Sequence, residues 1–148
     1  YNRGDEPVEL AGFFLSDDPA DPFAFPLPAG RLGPGERLLV WADGDTDQGP
    51  LHAPFGLSRD GESVVLSTAA AIVDQIDFDA QDPDVGLARE VDGAVTWMRC
   101  AYPSPGGPNR CDAPPVPTAT ATATVAPTAT SEPSSGRRVV YLPLGYRE

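Results

Sequence analysis

Hydrophobic residues in the first 112 positions come in short runs that turn-forming residues separate. VELAGFFLS (8–16) and FAFPL (23–27) alternate between apolar and other residues, as a strand with one buried face does. Pro26 makes the second run an edge or irregular strand, because proline has no N–H for the ladder. RLLVWA (37–42) is apolar after its first residue, which predicts a strand that is buried on both sides.

Four further runs predict four more strands, the last two of which form a pair. They are SVVLS (63–67), AIVDQIDF (71–78), VGLARE (85–90) and AVTWMRC (94–100). The turn SRDGE precedes the first of these strands, and VDG joins the last pair. No run keeps a helical period for more than about a turn. About six to eight strands with a turn signal about every ten residues indicate an all-β sandwich or barrel.

The rest of the chain has a different composition. Residues 113–136 contain 5 Pro, 6 Thr and 6 Ala but no Leu, Ile or aromatic residue, so we predict a disordered linker. Thr and Pro at this density also suit O-glycosylation of a secreted stalk. Residues 137–148, RRVVYLPLGYRE, form an apolar segment that is too short to fold alone. The predicted domain is therefore residues 1–112.

The predicted domain is strongly acidic. The whole chain has a net charge of −12, and residues 1–112 carry 20 Asp and Glu against 7 Arg, which gives −13. The chain has no Lys, and nucleic acids bind mainly through Lys and Arg, so nucleic acid and anionic membranes are disfavoured as partners. No stretch approaches the roughly 18 consecutive apolar residues of a transmembrane helix.

The two cysteines enclose a segment that is rich in turn formers. Cys100 and Cys111 flank AYPSPGGPNR, which can bring the two sulfurs together. An even count at short spacing fits one disulfide, provided that the compartment is oxidising. Two unpaired thiols are the alternative. A zinc site is disfavoured, because two Cys and the single His52 do not supply four ligands.

The stretch DGDTDQG is the main candidate metal site. It carries carboxylates at every second position, namely Asp43, Asp45 and Asp47. A calcium loop of the helix-loop-helix type needs Gly at its sixth position and Glu at its twelfth, where this chain has Gln48 and Pro54. We therefore interpret the stretch mainly as an acidic surface loop. If calcium binds, a neighbouring loop must add carboxylates such as Asp60 or Glu62.

The remaining polar and aromatic candidates favour structural roles. His52 lies between apolar residues and is expected to be packed and hydrogen-bonded, since no nucleophile motif accompanies it. A second acidic stretch flanks a turn at Pro83 and is read as solvated, with cation binding as the alternative; its carboxylates are Asp79, Asp82 and Asp84. The large aromatic residues are expected in the core; they are Phe13, Phe14, Phe23, Phe25, Trp41, Phe55, Phe78 and Trp97. The sequence thus predicts no enzyme and no cofactor.

The order of these segments resembles a known family. The segments are YNRGDEPVELAGFFLSDD, LGPGERLLVWA, LHAPFGLSRDGESVVL, AIVDQIDF, ARE with TW, and PSPGGPN. Together they are similar, over about residues 1–109, to the lamin-tail domain family. The resemblance implies an immunoglobulin-like β-sandwich. It also places Asp74 and Arg89 where the family usually has Asp and Arg, so we expect both to be structural hydrogen-bonding or ion-pairing residues.

The resemblance also implies an incomplete domain and an accessory role. Family members have two further strands before the position of Tyr1, so we interpret the chain as a fragment or processed product with an exposed sheet edge and marginal stability. The implied function is a non-catalytic module, secreted or at the cell surface. It would serve adhesion, scaffolding or targeting and bind a protein or cell-surface polymer. The alternative is an accessory domain of a secreted nuclease or phosphoesterase.

Overall fold

The fold is that of a computed structural model, which describes residues 1–111. The predicted linker 113–136 and the apolar segment 137–148 lie outside the described residues, as does the end of the predicted domain at residue 112.

Strands dominate the described part of the chain. In chain order they are β1 Val8–Glu9, β2 Phe13–Ser16, β3 Phe25–Pro26, β4 Arg31–Leu32, β5 Trp41–Ala42, β6 His52–Ala53, β7 Gly61–Thr68, β8 Ile72–Asp79, β9 Gly86–Arg89 and β10 Trp97–Cys100. A single turn of 3₁₀ helix, Thr46–Gln48, lies between β5 and β6. Residues 1–111 contain no α-helix, so the all-β prediction is confirmed.

The largest sheet has four antiparallel strands in the order β3-β2-β7-β8. Its two longest strands, β7 and β8, form a hairpin in which Gly61 lies opposite Asp79, and β8 is an edge strand of the sheet. Three two-stranded pairs complete the fold: β1 with β4 and β9 with β10 are antiparallel, whereas β5 and β6 are parallel. The β9–β10 hairpin shares no ladder with the four-stranded sheet.

The hydrophobic core lies between two layers of strands. One layer is the four-stranded sheet, and the facing layer comes from the β1–β4 and β5–β6 pairs. The buried residues of this core are Leu10, Phe13, Phe25, Leu27, Leu32, Ala53 and Leu66. Register explains the inward set, because Phe25, Leu15 and Leu66 stand in one row across β3, β2 and β7 and so share a face. The arrangement is a β-sandwich.

The first predicted strand is in fact two. A turn at Ala11–Gly12 separates β1 from β2, and Gly12 has a φ of 89°, a left-handed conformation that glycine adopts without strain. The turn shifts the alternation of inward and outward side chains by one residue, so that Phe13 rather than Phe14 points into the core. Phe14 instead meets Phe23 on the opposite side of the sheet, with ring centroids 5.1 Å apart. Phe23 is 48% exposed, so its assignment to the core is wrong.

The strand predicted for residues 37–42 is shorter than expected. Only Trp41 and Ala42 belong to β5, and the whole segment is half-buried rather than buried on both sides. Leu38 and Val40 do pack against the core. No strand among residues 1–111 pairs with Leu38–Val40, however, so this apolar run forms no β-ladder.

Two phenylalanine substitutions test the assignment of faces. Phe13→Ala should lower the free energy of unfolding by about 3–5 kcal/mol, because it removes a buried ring and leaves a cavity. Phe23→Ala is the matched control and should cost only about 0.5–1.5 kcal/mol, the value of its contact with Phe14. Urea unfolding of both variants measures the difference, and equal losses would contradict the assignment.

Candidate functional site

An ion pair joins the four-stranded sheet to the β9–β10 hairpin. Arg89 on β9 donates from Nη2 to both carboxylate oxygens of Asp74 on β8, at 2.9 and 2.7 Å. Its Nη1 donates to the Val95 carbonyl at 2.8 Å. Only 8% of Arg89 is exposed. Asp74 and Arg89 are thus structural ion-pairing residues, as expected, and the structure shows that they pair with each other, through one guanidinium nitrogen that bonds to both carboxylate oxygens.

Trp97 covers this ion pair. Trp97 stands directly opposite Arg89 in the β9–β10 register, so the two side chains share a face. The guanidinium carbon lies 4.0 Å from the centroid of the Trp97 ring, within cation–π range. The ring thus shields the ion pair from water, and Trp97 packs on a charged side chain at half-burial rather than in the main core.

Asn109 fastens the segment that follows β10 to this cluster. Its Nδ2 donates to the Arg89 carbonyl at 2.9 Å, and its backbone N–H donates to Asp92 Oδ1 at 3.3 Å. Asp92 also accepts a bond from Arg37, whose guanidinium carbon lies 4.9 Å from the Tyr1 ring centroid. A chain of polar contacts therefore runs from the C-terminal end of the described fold to its N-terminus.

Asn2 organises the turn at the start of the chain. It is completely buried, and its Nδ2 donates to the carbonyls of Glu6 and Leu32 at 2.8 and 2.9 Å. Its Oδ1 accepts from the Gly4 N–H at 2.9 Å, while its backbone N–H donates to the Glu36 carbonyl. A buried amide with every group bonded is a strong local constraint. Asn followed by Arg-Gly is the sequence signal of such a side-chain turn.

The two cysteines are joined. A disulfide links Cys100 to Cys111, with their Cα atoms 4.4 Å apart. Both are buried in a small cluster with Ala88, against which Met98 packs. The predicted disulfide is confirmed, and the alternatives of free thiols and of a zinc site are set aside. The bridge holds residues 101–111 against the β9–β10 hairpin, where Asn109 makes its contacts.

Two carboxylates of the acidic loop, those of Asp43 and Asp45, accept hydrogen bonds from nearby protein groups. Asp43 Oδ2 lies 2.9 Å from His52 Nδ1, and Asp43 Oδ1 accepts from the Asp45 N–H at 3.2 Å. Asp45 Oδ2 accepts from Gln48 Nε2 at 2.6 Å. Within residues 1–111, no group of three or more His, Cys, Asp or Glu side chains is arranged to hold a metal ion. The structure therefore does not gather Asp43, Asp45 and Asp47 into a cation site.

The other carboxylates that were predicted as possible cation ligands lie in turns other than the acidic loop. Glu62 accepts a bond from the Ser58 N–H, within the turn that also contains Asp60. In the second acidic stretch, Asp82 pairs with Arg99 at 2.8 Å, and both side chains are more than half exposed. This exposure agrees with the reading of a solvated turn.

His52 is a packed residue, as expected. The parallel register of β5 and β6 places it beside Trp41, and the two rings are stacked with centroids 6.4 Å apart. Its other contact is the bond to Asp43, so the ring is fixed on two sides. The structural interpretation of His52 is confirmed.

Asp77 on β8 is an exposed carboxyl that accepts two side-chain hydrogen bonds. The Ser63 hydroxyl donates to Asp77 at 2.5 Å and Gln75 Nε2 donates to it at 3.0 Å. These two hydrogen bonds, the Ser63 bond first, lower the pKa of Asp77 below its ordinary value.

Comparison with known proteins gives no relative. No protein family matches the chain, and neither does any curated protein or solved structure. Within residues 1–111, no helix is long and apolar enough to cross a membrane.

Two arginine substitutions test the importance of the buried ion pair. Arg89→Ala should lower the free energy of unfolding by about 3–5 kcal/mol, because it leaves Asp74 without its partner. Arg99→Ala removes the exposed pair with Asp82 and should cost less than about 1 kcal/mol. Urea unfolding at one pH and salt concentration compares them. Similar small losses would show that the Arg89 pair does not hold the hairpin.

A titration tests the hydrogen bonds to Asp77. Ser63→Ala should raise the pKa of Asp77 toward its ordinary value, because the largest stabiliser of its charged form is removed. In the unchanged protein the lowered pKa stabilises the fold above the unfolded-state pKa, and this contribution is lost as the pH falls through the folded-state pKa. NMR titration of the Asp77 carboxyl measures the shift, and an unchanged value in the variant would contradict the assignment.

Proposed function

We propose that the chain is a non-catalytic lamin-tail module that is secreted or displayed at the cell surface. In this proposal it attaches or positions a neighbouring domain by binding a protein or a cell-surface polymer. The observation that carries it is the meeting of Asp74, Arg89 and Trp97, which come from two separate segments of the resemblance.

Two further residues of the resembling segments support the family assignment. Asn2 of the YN pair is buried and fastens the first turn, and Asn109 of PSPGGPN fastens the segment after β10. Both residues thus tie loops of the sandwich together.

The disulfide supports an extracellular location. Disulfides persist in oxidising compartments and are rare where thioredoxin and glutathione keep thiols reduced. Cys100 and Cys111 are both buried, so the bridge is protected once it forms. The Thr- and Pro-rich composition of residues 113–136 is typical of stalks outside the cell.

The contacts of His52 support a binding rather than a catalytic role. His52 is the single histidine of the chain, and its imidazole contacts Asp43 and Trp41.

Exposed apolar side chains form the region that we propose contacts the partner. Val91 and Val95, on the loop between β9 and β10, are 59% and 69% exposed. Their position beside the Arg89 cluster places them on a rigid support.

Fractionation and co-sedimentation test the proposal. The chain should be found in the extracellular or surface fraction of the cells that make it, with Cys100 and Cys111 joined when thiols are alkylated before reduction. The purified full chain should co-sediment with surface material from the same cells. Val95→Ser should weaken this binding, and Phe23→Ser, on another face, should leave it unchanged.

Two results would overturn the proposed function. One is a cytoplasmic chain whose two cysteines are fully alkylated without reduction. The other is hydrolysis of nucleic acid or phosphoesters by the purified full chain.

A further inference from the structure

The turn that follows Asn2 presents two opposite charges to solvent. Arg3, Gly4 and Asp5 are all exposed, and only the glycine separates the two charged residues. The Asp5 carboxylate has no hydrogen-bond or ion-pair partner among residues 1–111, and within the same range the Arg3 guanidinium pairs with no carboxylate. The guanidinium makes one long contact there, from Nη1 to the Gly93 carbonyl at 3.4 Å. Both charged groups are therefore available to a second molecule.

The buried side chain of Asn2 holds this turn on both sides of Asp5. Its Oδ1 accepts from the Gly4 N–H, and its Nδ2 donates to the Glu6 carbonyl. Gly4 lies so close to the same side chain that a Cβ at position 4 would be 3.3 Å from Asn2 Oδ1. A preformed turn loses little conformational freedom when a partner binds, which favours binding. The two charges thus stand on a preorganised support.

The charged turn lies beside the exposed valines of the β9–β10 loop. Arg3 contacts Gly93 in this loop, where a Cβ at position 93 would lie 3.1 Å from Arg3 Cβ. Val91 and Val95 flank Gly93 along the chain, and both are more than half exposed. Protein interfaces combine an apolar centre with arginine, and complementary charges fix the orientation of the partner. The turn and the valines therefore form one composite surface.

We propose that this composite surface binds a protein that presents a carboxylate to Arg3 and a positive charge to Asp5. The inference rests on the proposed function and names the chemistry of the partner. A carboxylate matches the guanidinium, because the two form charge-assisted hydrogen bonds in pairs. The positive charge for Asp5 is an Arg or Lys side chain, or a divalent cation that the partner holds, since carboxylate oxygens bind both. An apolar region of the partner covers Val91 and Val95.

Charge disfavours the other occupants of this surface. An anionic polymer is repelled by Asp5 and by the net charge of −12, and an uncharged polymer supplies no opposite charge to Arg3 or Asp5. A second copy of the chain carries the same net charge, so two copies repel each other. A protein with both signs of charge on one surface meets neither obstacle.

Co-sedimentation of the purified full chain with surface material from the cells that make it tests the proposal. Arg3→Asp with Asp5→Arg keeps the net charge but reverses the order of the two charges, and should weaken binding at least about 10-fold. The matched control is the same exchange in the turn before β7, Arg59→Asp with Asp60→Arg, which should leave binding unchanged. All four residues are exposed, so urea unfolding should show that both variants fold like the unchanged chain.

Two treatments of the surface material define the partner. Protease should abolish binding, because the partner is a protein. Removal of divalent cations with EDTA should weaken binding if a cation faces Asp5, and should leave it unchanged if an Arg or Lys side chain does. This comparison identifies the source of the positive charge.

Three results would overturn the proposal while the chain still binds. They are equal binding by the Arg3→Asp, Asp5→Arg variant, binding that survives protease treatment, and a dimer in analytical ultracentrifugation that the same variant dissociates. The last result would make a second copy the occupant. Failure of the unchanged chain to co-sediment would overturn the proposed function and this inference together, so the two failures are distinguishable.

Discussion

The ion pair of Arg89 with Asp74 is the interaction on which the arrangement of the two β units depends. The β9–β10 hairpin and the four-stranded sheet have no ladder in common, so backbone hydrogen bonds do not hold them together. The ion pair crosses this gap, and Trp97 covers it on the hairpin side. Because Arg89 is buried and Asp74 is half-buried, removing Asp74 would leave a buried positive charge without its partner.

Polar side chains extend this connection through the loops. Asn109 bonds to the Arg89 carbonyl and to Asp92, which in turn holds Arg37, and the disulfide keeps the Asn109 segment in place. Asn2 fastens the first turn in a similar way, by donating from Nδ2 to the Leu32 carbonyl. A small sandwich with many two-residue strands has few ladder bonds. Hydrogen bonds from side chains to loop backbone therefore provide part of the stabilisation that long strands provide in larger sheets.

The proposed binding role uses a loop that this framework holds in place. The exposed Val91 and Val95 lie on the loop between β9 and β10, and Arg89 fixes this loop by its bond to the Val95 carbonyl.

The sequence by itself determined the all-β class, the β9–β10 pair and the disulfide between Cys100 and Cys111. Alternation, turn residues and cysteine spacing are local signals. The resemblance marked Asp74 and Arg89 as structural polar residues, but only the tertiary structure showed that they pair with each other. Only the tertiary structure decided that Phe23 is exposed and that Leu38–Val40 lacks a ladder. The first follows because Phe23 lies in the turn before β3 rather than in the strand, and the second because no strand among residues 1–111 pairs with Leu38–Val40. Exposure and pairing depend on what lies alongside a segment, and hydrophobicity along the chain does not contain that information.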